Sequence, residues 1–199
     1  MKHVVLAGDS VFDNDTYVLG EPGVIEQLRK SIPEGWSAFK LAVDGHRIAD
    51  IERQLGSLPT NCTDLFISVG GNDARRYTHL LERIRSAADL PKLLDGPLQA
   101  FRSEYGCMLD LAKAHSVRVH ICSIYTAIPF ENATWRQYAP MAIGAFNSAI
   151  IEQAELRDLS IVRLDQVCLE PDDFSQVSPI EPSSQGGQKI VEAIVSHLS

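Results

Sequence analysis

A buried parallel strand that ends in a sharp turn is predicted for the stretch Leu65-Phe66-Ile67-Ser68-Val69-Gly70-Gly71-Asn72-Asp73. Its first part is rich in apolar and β-prone residues without polar alternation, which is typical of a strand covered by helices on both faces. The two glycines then stop the strand and leave Asn72 at its carboxyl end. This pattern favours a sheet of parallel strands in an α/β protein.

Similar short apolar runs recur along the chain, with helical patterns between them. Strands are predicted at residues 4–7, 37–43, 65–69, 117–124 and 159–164, and helical spacing of apolar residues is found within 24–28, 48–55, 98–112, 143–154 and 190–198. Strands that alternate with helices form right-handed βαβ units. Because no repeat or linker interrupts the pattern, we expect residues 1–199 to form one three-layer α/β/α domain around a five-stranded parallel sheet.

Composition excludes several classes of protein. The 199 residues are 45% hydrophobic and 22% charged, which is typical of a globular chain and not of a disordered one. The formal net charge of −8 leaves no excess of Lys and Arg for a general nucleic-acid binder. No apolar run is long enough to span a bilayer or to form a signal peptide, so we expect a cytoplasmic protein. The four cysteines are widely spaced, which predicts reduced thiols and no metal site.

Polar residues follow three of the predicted strands directly. Ser10 comes after the first strand, Gly45 after the second and Asn72 after the third. In a flavodoxin-like strand order, 2-1-3-4-5, these three residues converge where ligands bind, beyond the carboxyl ends of the strands. Ser10 can then attack a carbonyl carbon, while the N–H groups of Ser10 and Gly45 and the Asn72 amide donate to the developing oxyanion. Taken one at a time, each segment is equally consistent with an ordinary turn.

Three segments resemble the sequence blocks of one known family. They are Gly8-Asp9-Ser10, Ala42-Val43-Asp44-Gly45 and Gly70-Gly71-Asn72-Asp73, which in this order are similar to the first three blocks of the SGNH (GDSL-type) esterases and lipases. The resemblance implies a flavodoxin-like fold and a small ester, thioester or related acyl substrate, without a cofactor. It also implies that Ser10 is the nucleophile and that Gly45 and Asn72 are oxyanion donors.

The family's last block departs from the pattern in this chain. That block is normally Asp-x-x-His, but here Ser178 stands at the Asp position and Glu181 at the His position. Three alternatives follow: Glu181 is the base, with burial raising its pKa; His46 or His79 replaces the missing histidine; or the site binds an acyl group or a glycan and turns it over poorly or not at all.

A nucleotide or flavin binder is the competing class, because flavodoxin-like sheets also hold phosphates. The turn after the first strand lacks Gly-x-Gly-x-x-Gly and carries Asp9 and Asp13, which disfavours phosphate there. Substrate identity would depend on the loops after Asn72 and Ile124. In the second loop, three aromatic residues are candidates for an acyl pocket or for the core: Tyr125, Phe130 and Trp135.

Overall fold

The computed structural model describes residues 1–198 and contains the predicted parallel sheet. Its strands are β1 (His3–Gly8), β2 (Ser37–Lys40), β3 (Asp64–Ser68), β4 (Arg118–Cys122) and β5 (Ser160–Val162). They are arranged in the order β2-β1-β3-β4-β5, and every neighbouring pair is parallel. The predicted flavodoxin-like α/β/α fold is therefore confirmed.

Helices cover both faces of the sheet. They are α1 (Val24–Ser31), α2 (Ile51–Leu55), α3 (Gly71–Arg75), α4 (Leu90–Lys113), α5 (Ala133–Glu155) and α6 (Ser184–Ser196). Alternate residues of β1 point to opposite faces: Val5 packs in one apolar layer with α2, α4 and α5, and Leu6 packs in the other with α1 and α6. Within the described residues 1–198, no helix has the length and apolar character that a membrane crossing requires.

Strand β2 is shorter than the sequence pattern predicts. The backbone N–H groups of Leu41 and Ala42 both donate to the carbonyl of Leu6, at 2.8 and 3.0 Å, so the one-to-one pairing with β1 is lost after Lys40. The chain nevertheless stays beside β1, because the N–H of Val43 donates to the carbonyl of Gly8 at 3.1 Å. The loop that carries Gly45 therefore begins at the carboxyl end of β1.

Gly8 brings the end of β1 unusually close to β3. Its φ of +133° lies in the region that favours glycine, and a Cβ built there would lie 1.8 Å from the Ser68 carbonyl oxygen. The next residue, Asp9, donates its backbone N–H to the same oxygen at 3.0 Å. This close approach fixes the turn on which Ser10 lies.

Candidate active site

A cavity of about 140 Å³ opens at the carboxyl ends of the central strands. Its lining includes Ser10, Asn72 and Glu181, which come from three distant parts of the sequence. Gly45 is exposed and lies outside this lining, on the loop that follows β2. Three of the four residues that the sequence singled out are thus brought together at one cavity, and the fourth lies on an adjoining loop.

Ser10 lies in a tight turn and not at a helix start. The backbone N–H groups of Phe12 and Asp13 both donate to the Asp9 carbonyl at 3.2 Å, and the next regular helix, α1, begins only at Val24. Ser10 is 6% exposed, and across residues 1–198 its backbone N–H donates no hydrogen bond. The backbone N–H of Ser10 is therefore available to a ligand at the cavity.

The loop after β2 is tied to the end of β3 by two adjacent residues. Asn72 donates one Nδ2 proton to the His46 carbonyl at 3.0 Å, and the Asp73 carboxylate accepts the Ile48 N–H at 3.1 Å. A second Nδ2 proton remains on Asn72, since a primary amide carries two. Gly45 has a φ of +78°, and its backbone N–H also makes no hydrogen bond in the described part of the chain. Among residues 1–198, the Gly45 N–H and one of the two Asn72 Nδ2 protons are therefore left without an acceptor.

Two further residues, neither of them predicted from the sequence, hold the site together. Gln54 clamps Gly8 from both sides: its Oε1 accepts the Gly8 N–H at 2.7 Å, and its Nε2 donates to the Gly8 carbonyl at 2.8 Å. Asn14 donates Nδ2 to the Pro182 carbonyl at 3.2 Å and accepts the Val24 N–H at 2.9 Å. Gln54 lies with Ile51 and Leu55 on an otherwise apolar helix face, and a polar side chain at such a position indicates a buried hydrogen-bonding role.

The loop that carries Glu181 is fixed by its backbone. The N–H of Glu181 donates to the Ser178 carbonyl at 3.0 Å, and the carbonyl of Glu181 accepts the Ser175 N–H at 2.8 Å. On the preceding residue, the Ile180 carbonyl accepts the Tyr125 hydroxyl at 2.5 Å. The Glu181 side chain is held in the cavity wall, is 6% exposed, and its Oε2 has no hydrogen-bond partner among residues 1–198.

Burial perturbs two carboxyl groups at this site. It raises the pKa of Glu181 to about 7, while interaction with the Ser10 hydroxyl opposes the shift. It also raises the pKa of Asp9 to about 8, where the Val11 N–H lowers the pKa and the charge of Glu181 raises it further. Because Asp9 and Glu181 repel each other when both are charged, their titrations are linked.

The two histidines considered as alternative bases lie elsewhere. The ring of His46 contacts Gln54 Nε2 through Nδ1 at 2.7 Å and an Arg53 guanidinium nitrogen through Nε2 at 3.0 Å. His79 is exposed, and its Nδ1 lies 3.1 Å from the Arg76 carbonyl. Neither histidine contributes to the cavity lining, whereas Glu181 does.

Apolar and aromatic side chains form most of the cavity wall. The three aromatic residues that the sequence left between pocket and core all line the cavity: Tyr125, Phe130 and Trp135. Of the arginines that follow Asn72, Arg75 contributes to the lining and Arg76 does not. Among the described residues, no group of three or more His, Cys, Asp or Glu side chains could hold a metal ion.

Solved structures with the same architecture are lipases and esterases. The lipase Lip_vut3 from a goat rumen metagenome superimposes with a TM-score of 0.74 at 17% identity, over 98% of this chain and 97% of that one. The chain has the fold of these hydrolases. The acetyl xylan esterase AlAXEase gives a TM-score of 0.70 at 15% identity, over 99% of this chain and 100% of that one.

A third neighbour comes from a named family of lipolytic proteins. It is a member of the lipolytic protein G-D-S-L family from Veillonella parvula DSM 2008, with a TM-score of 0.69 at 13% identity over 98% of this chain and 97% of that one. A scan against protein-family models gave no match, and a search of curated proteins gave none at a significant level. The similarity that these comparisons show thus lies in the fold.

Proposed function

We propose that this protein is a serine hydrolase of the SGNH type that cleaves an ester, thioester or related acyl group. The observation that carries the proposal is the meeting of Ser10, Asn72 and Glu181 at one cavity. The lipase and esterase folds of the structural neighbours support hydrolase chemistry in general. Glu181 takes the place of the usual histidine.

In the acylation step, the Glu181 carboxylate accepts the proton of the Ser10 hydroxyl as Oγ bonds to the carbonyl carbon. The carbonyl electrons move to oxygen, where the N–H groups of Ser10 and Gly45 and the Asn72 amide stabilise the negative charge. The intermediate collapses when the bond to the leaving group breaks, and protonated Glu181 returns the proton to that group. The product of this step is an acyl-Ser10 enzyme.

Deacylation follows the same order of steps, with water as the nucleophile. Glu181 accepts a proton from the attacking water, the same donors hold the second oxyanion, and Ser10 leaves with the proton from Glu181. A carboxylate with an ordinary pKa is a weak base at neutral pH. A pKa near 7 makes Glu181 a base of about the strength of an ordinary histidine.

Backbone hydrogen bonds fix the loop that carries Glu181, which in this proposal needs no orienting aspartate. Ser178 offers no carboxylate. The Glu181 side chain does not need one, because a carboxylate has no ring nitrogen and no tautomer that a partner would have to fix. Instead, the hydrogen bonds at Ser175, Ser178 and Ile180 hold the loop in place. Ser10 and Glu181 line the same cavity, and the proposed proton transfer requires the Ser10 hydroxyl to lie within hydrogen-bond distance of the Glu181 carboxylate, directly or through one water.

A binding module without turnover is the second candidate. It is favoured by the replacement of both members of the Asp-x-x-His block and by the Glu181 Oε2, which has no hydrogen-bond partner in the described part of the chain and can accept one from a bound ligand. In that case the cavity would hold an acyl group or a glycan, and Ser10 would form no covalent intermediate.

Hydrolysis of short p-nitrophenyl esters and thioesters separates these candidates. We expect turnover by the parent protein and loss of turnover in Ser10→Ala, with the thermal unfolding midpoint of that variant close to the parent's. Absence of turnover on every ester and thioester, combined with saturable binding of a short fatty acid, would instead establish the binding module.

A further inference from the structure

We infer that the cavity selects substrates by their acyl group and favours chains of about six carbons over acetyl. The inference rests on the proposed hydrolase function, because it takes Ser10 as the point of attachment. The acyl group is the part of the substrate that the cavity would recognise. Neither the sequence blocks nor the fold specifies this group.

The cavity has a polar end and an apolar remainder. The charged side chains in its lining are Asp9, Glu181 and Arg75, and Arg75 is exposed whereas the two carboxyl groups are buried with Ser10. The apolar part of the wall comes from the segment after α3, from α4 and α5 and from the loop after β4, and it includes Leu81, Leu94, Ala139, Ala142 and Phe146. An acyl chain attached to Ser10 would enter this apolar part.

The size of the cavity limits the length of that chain. An engineered apolar cavity of about 150 Å³ holds a benzene molecule, which is a group of about six carbons. The cavity described above, of about 140 Å³, is similar in size. An acetyl group would leave most of this space unfilled. Each further buried methylene is expected to raise kcat/KM about fourfold until the space is full.

Two alanines on α5 keep this space open. Ala139 and Ala142 are three residues apart, so they lie on the same face of the helix, and both line the cavity while being 4% and 8% exposed. Leu94 and Phe146 are large side chains of the apolar wall, and each is 2% exposed. A larger side chain at position 142 would occupy volume that the acyl chain needs, and a smaller one at position 94 would extend it.

The test is the chain-length profile of p-nitrophenyl esters from acetate to dodecanoate. For the parent we expect kcat/KM to rise by about 10²-fold from acetate to hexanoate and to fall for dodecanoate. Ala142→Phe should lower the ratio of hexanoate to acetate turnover by about tenfold or more, and Leu94→Ala should move the optimum to longer chains. Met141→Phe is the matched control, because Met141 lies on the same helix, is 48% exposed and does not line the cavity; it should leave the profile unchanged.

A second measurement separates failure of this inference from failure of the hydrolase proposal. It is the rise in thermal unfolding midpoint that hexanoate or acetate causes in Ser10→Ala, with and without Ala142→Phe. Hydrolysis that is equal for acetate and hexanoate, or a profile that Ala142→Phe leaves unchanged in a folded protein, would overturn the acyl selection and leave the hydrolase intact. No hydrolysis of any ester, but stabilisation by hexanoate that Ala142→Phe removes, would overturn the hydrolase and keep the cavity's preference. Neither hydrolysis nor stabilisation would overturn both.

Discussion

Glu181 and Ser10 line the same cavity, each is 6% exposed, and the Ser10 hydroxyl is the strongest of the influences that lower the Glu181 pKa. Burial acts more strongly in the opposite direction and leaves that pKa at about 7. In the proposed mechanism the pair combines a nucleophile with a proton acceptor that is about half ionised at neutral pH. This relationship is the basis of the proposed chemistry, and it leads to the predictions below.

Activity of the parent protein should rise with pH. In the proposed mechanism the ionised carboxylate of Glu181 is the active form, so kcat/KM should increase through a pKa of about 7 and level off above it. Glu181→Gln keeps the shape of the side chain but removes the proton acceptor. We expect it to lower kcat/KM by about 10²-fold or more, with an unfolding midpoint near the parent's. A Glu181→Gln variant as active as the parent would remove Glu181 from the mechanism.

The oxyanion role of Asn72 can be separated from its contact with the His46 carbonyl. Asn72→Ala should reduce kcat by about 10²–10³-fold, because one donor to the oxyanion is lost. It also removes the hydrogen bond to the loop after β2, so the unfolding midpoint must be measured alongside. Asp73→Asn serves as a control: its side-chain oxygen can still accept the Ile48 N–H, and it should lower kcat far less. If Asn72→Ala retains kcat within a factor of two, its amide does not stabilise the oxyanion.

Asp9 should make the protein less stable as pH rises. In the folded state the pKa of the Asp9 carboxyl group is about 8, above the ordinary value of 3.8. Between pH 3.8 and about pH 8 the folded state therefore binds more protons than the unfolded state. The free energy of unfolding therefore decreases as pH increases through that range.

The variant Asp9→Asn cannot take on the charge, while its Oδ1 can still accept the Val11 N–H. Its unfolding midpoint should match the parent's near pH 4 and exceed it by about 4 °C or more at pH 9. Thermal unfolding of both proteins between pH 4 and 9 checks this. A difference that does not depend on pH would show that the Asp9 charge is not the cause.

Restoring the family's last block should change the catalytic base. Glu181→His alone gives an imidazole without an orienting carboxylate, so we expect weak activity. The double variant Glu181→His with Ser178→Asp supplies that carboxylate and should be more active than the single one, because the aspartate fixes the tautomer and stabilises the imidazolium. If the parent is inactive on every ester while the double variant gains turnover, the natural protein is a binding module.

Local sequence patterns were sufficient for the sheet because each strand carries its own apolar run and its own stop. The strand order placed Ser10 and Asn72 as expected, since both directly follow neighbouring strands. The end of β2 was predicted too late, because its pairing with β1 is lost where Leu41 and Ala42 share one acceptor, a property of two strands together.

The supporting residues of the site could not be inferred in the same way. Gln54 and Asn14 act on Gly8 and Pro182, which are distant in sequence, and a single buried amide does not indicate its partner. The aromatic residues after β4 posed a related problem, because apolar side chains look the same in a core and in a pocket wall. Their exposure to a cavity depends on how α5 packs, which is a tertiary property.

The most direct test of the Ser10–Glu181 mechanism is the rate at which a fluorophosphonate labels the protein between pH 5 and 9, with the labelled peptide identified by mass spectrometry. We expect labelling at Ser10, at a rate that rises through a pKa of about 7 in the parent and falls by about 10²-fold in Glu181→Gln. Labelling at another residue, or labelling of Ser10 at the same rate in both proteins across this range, would contradict it.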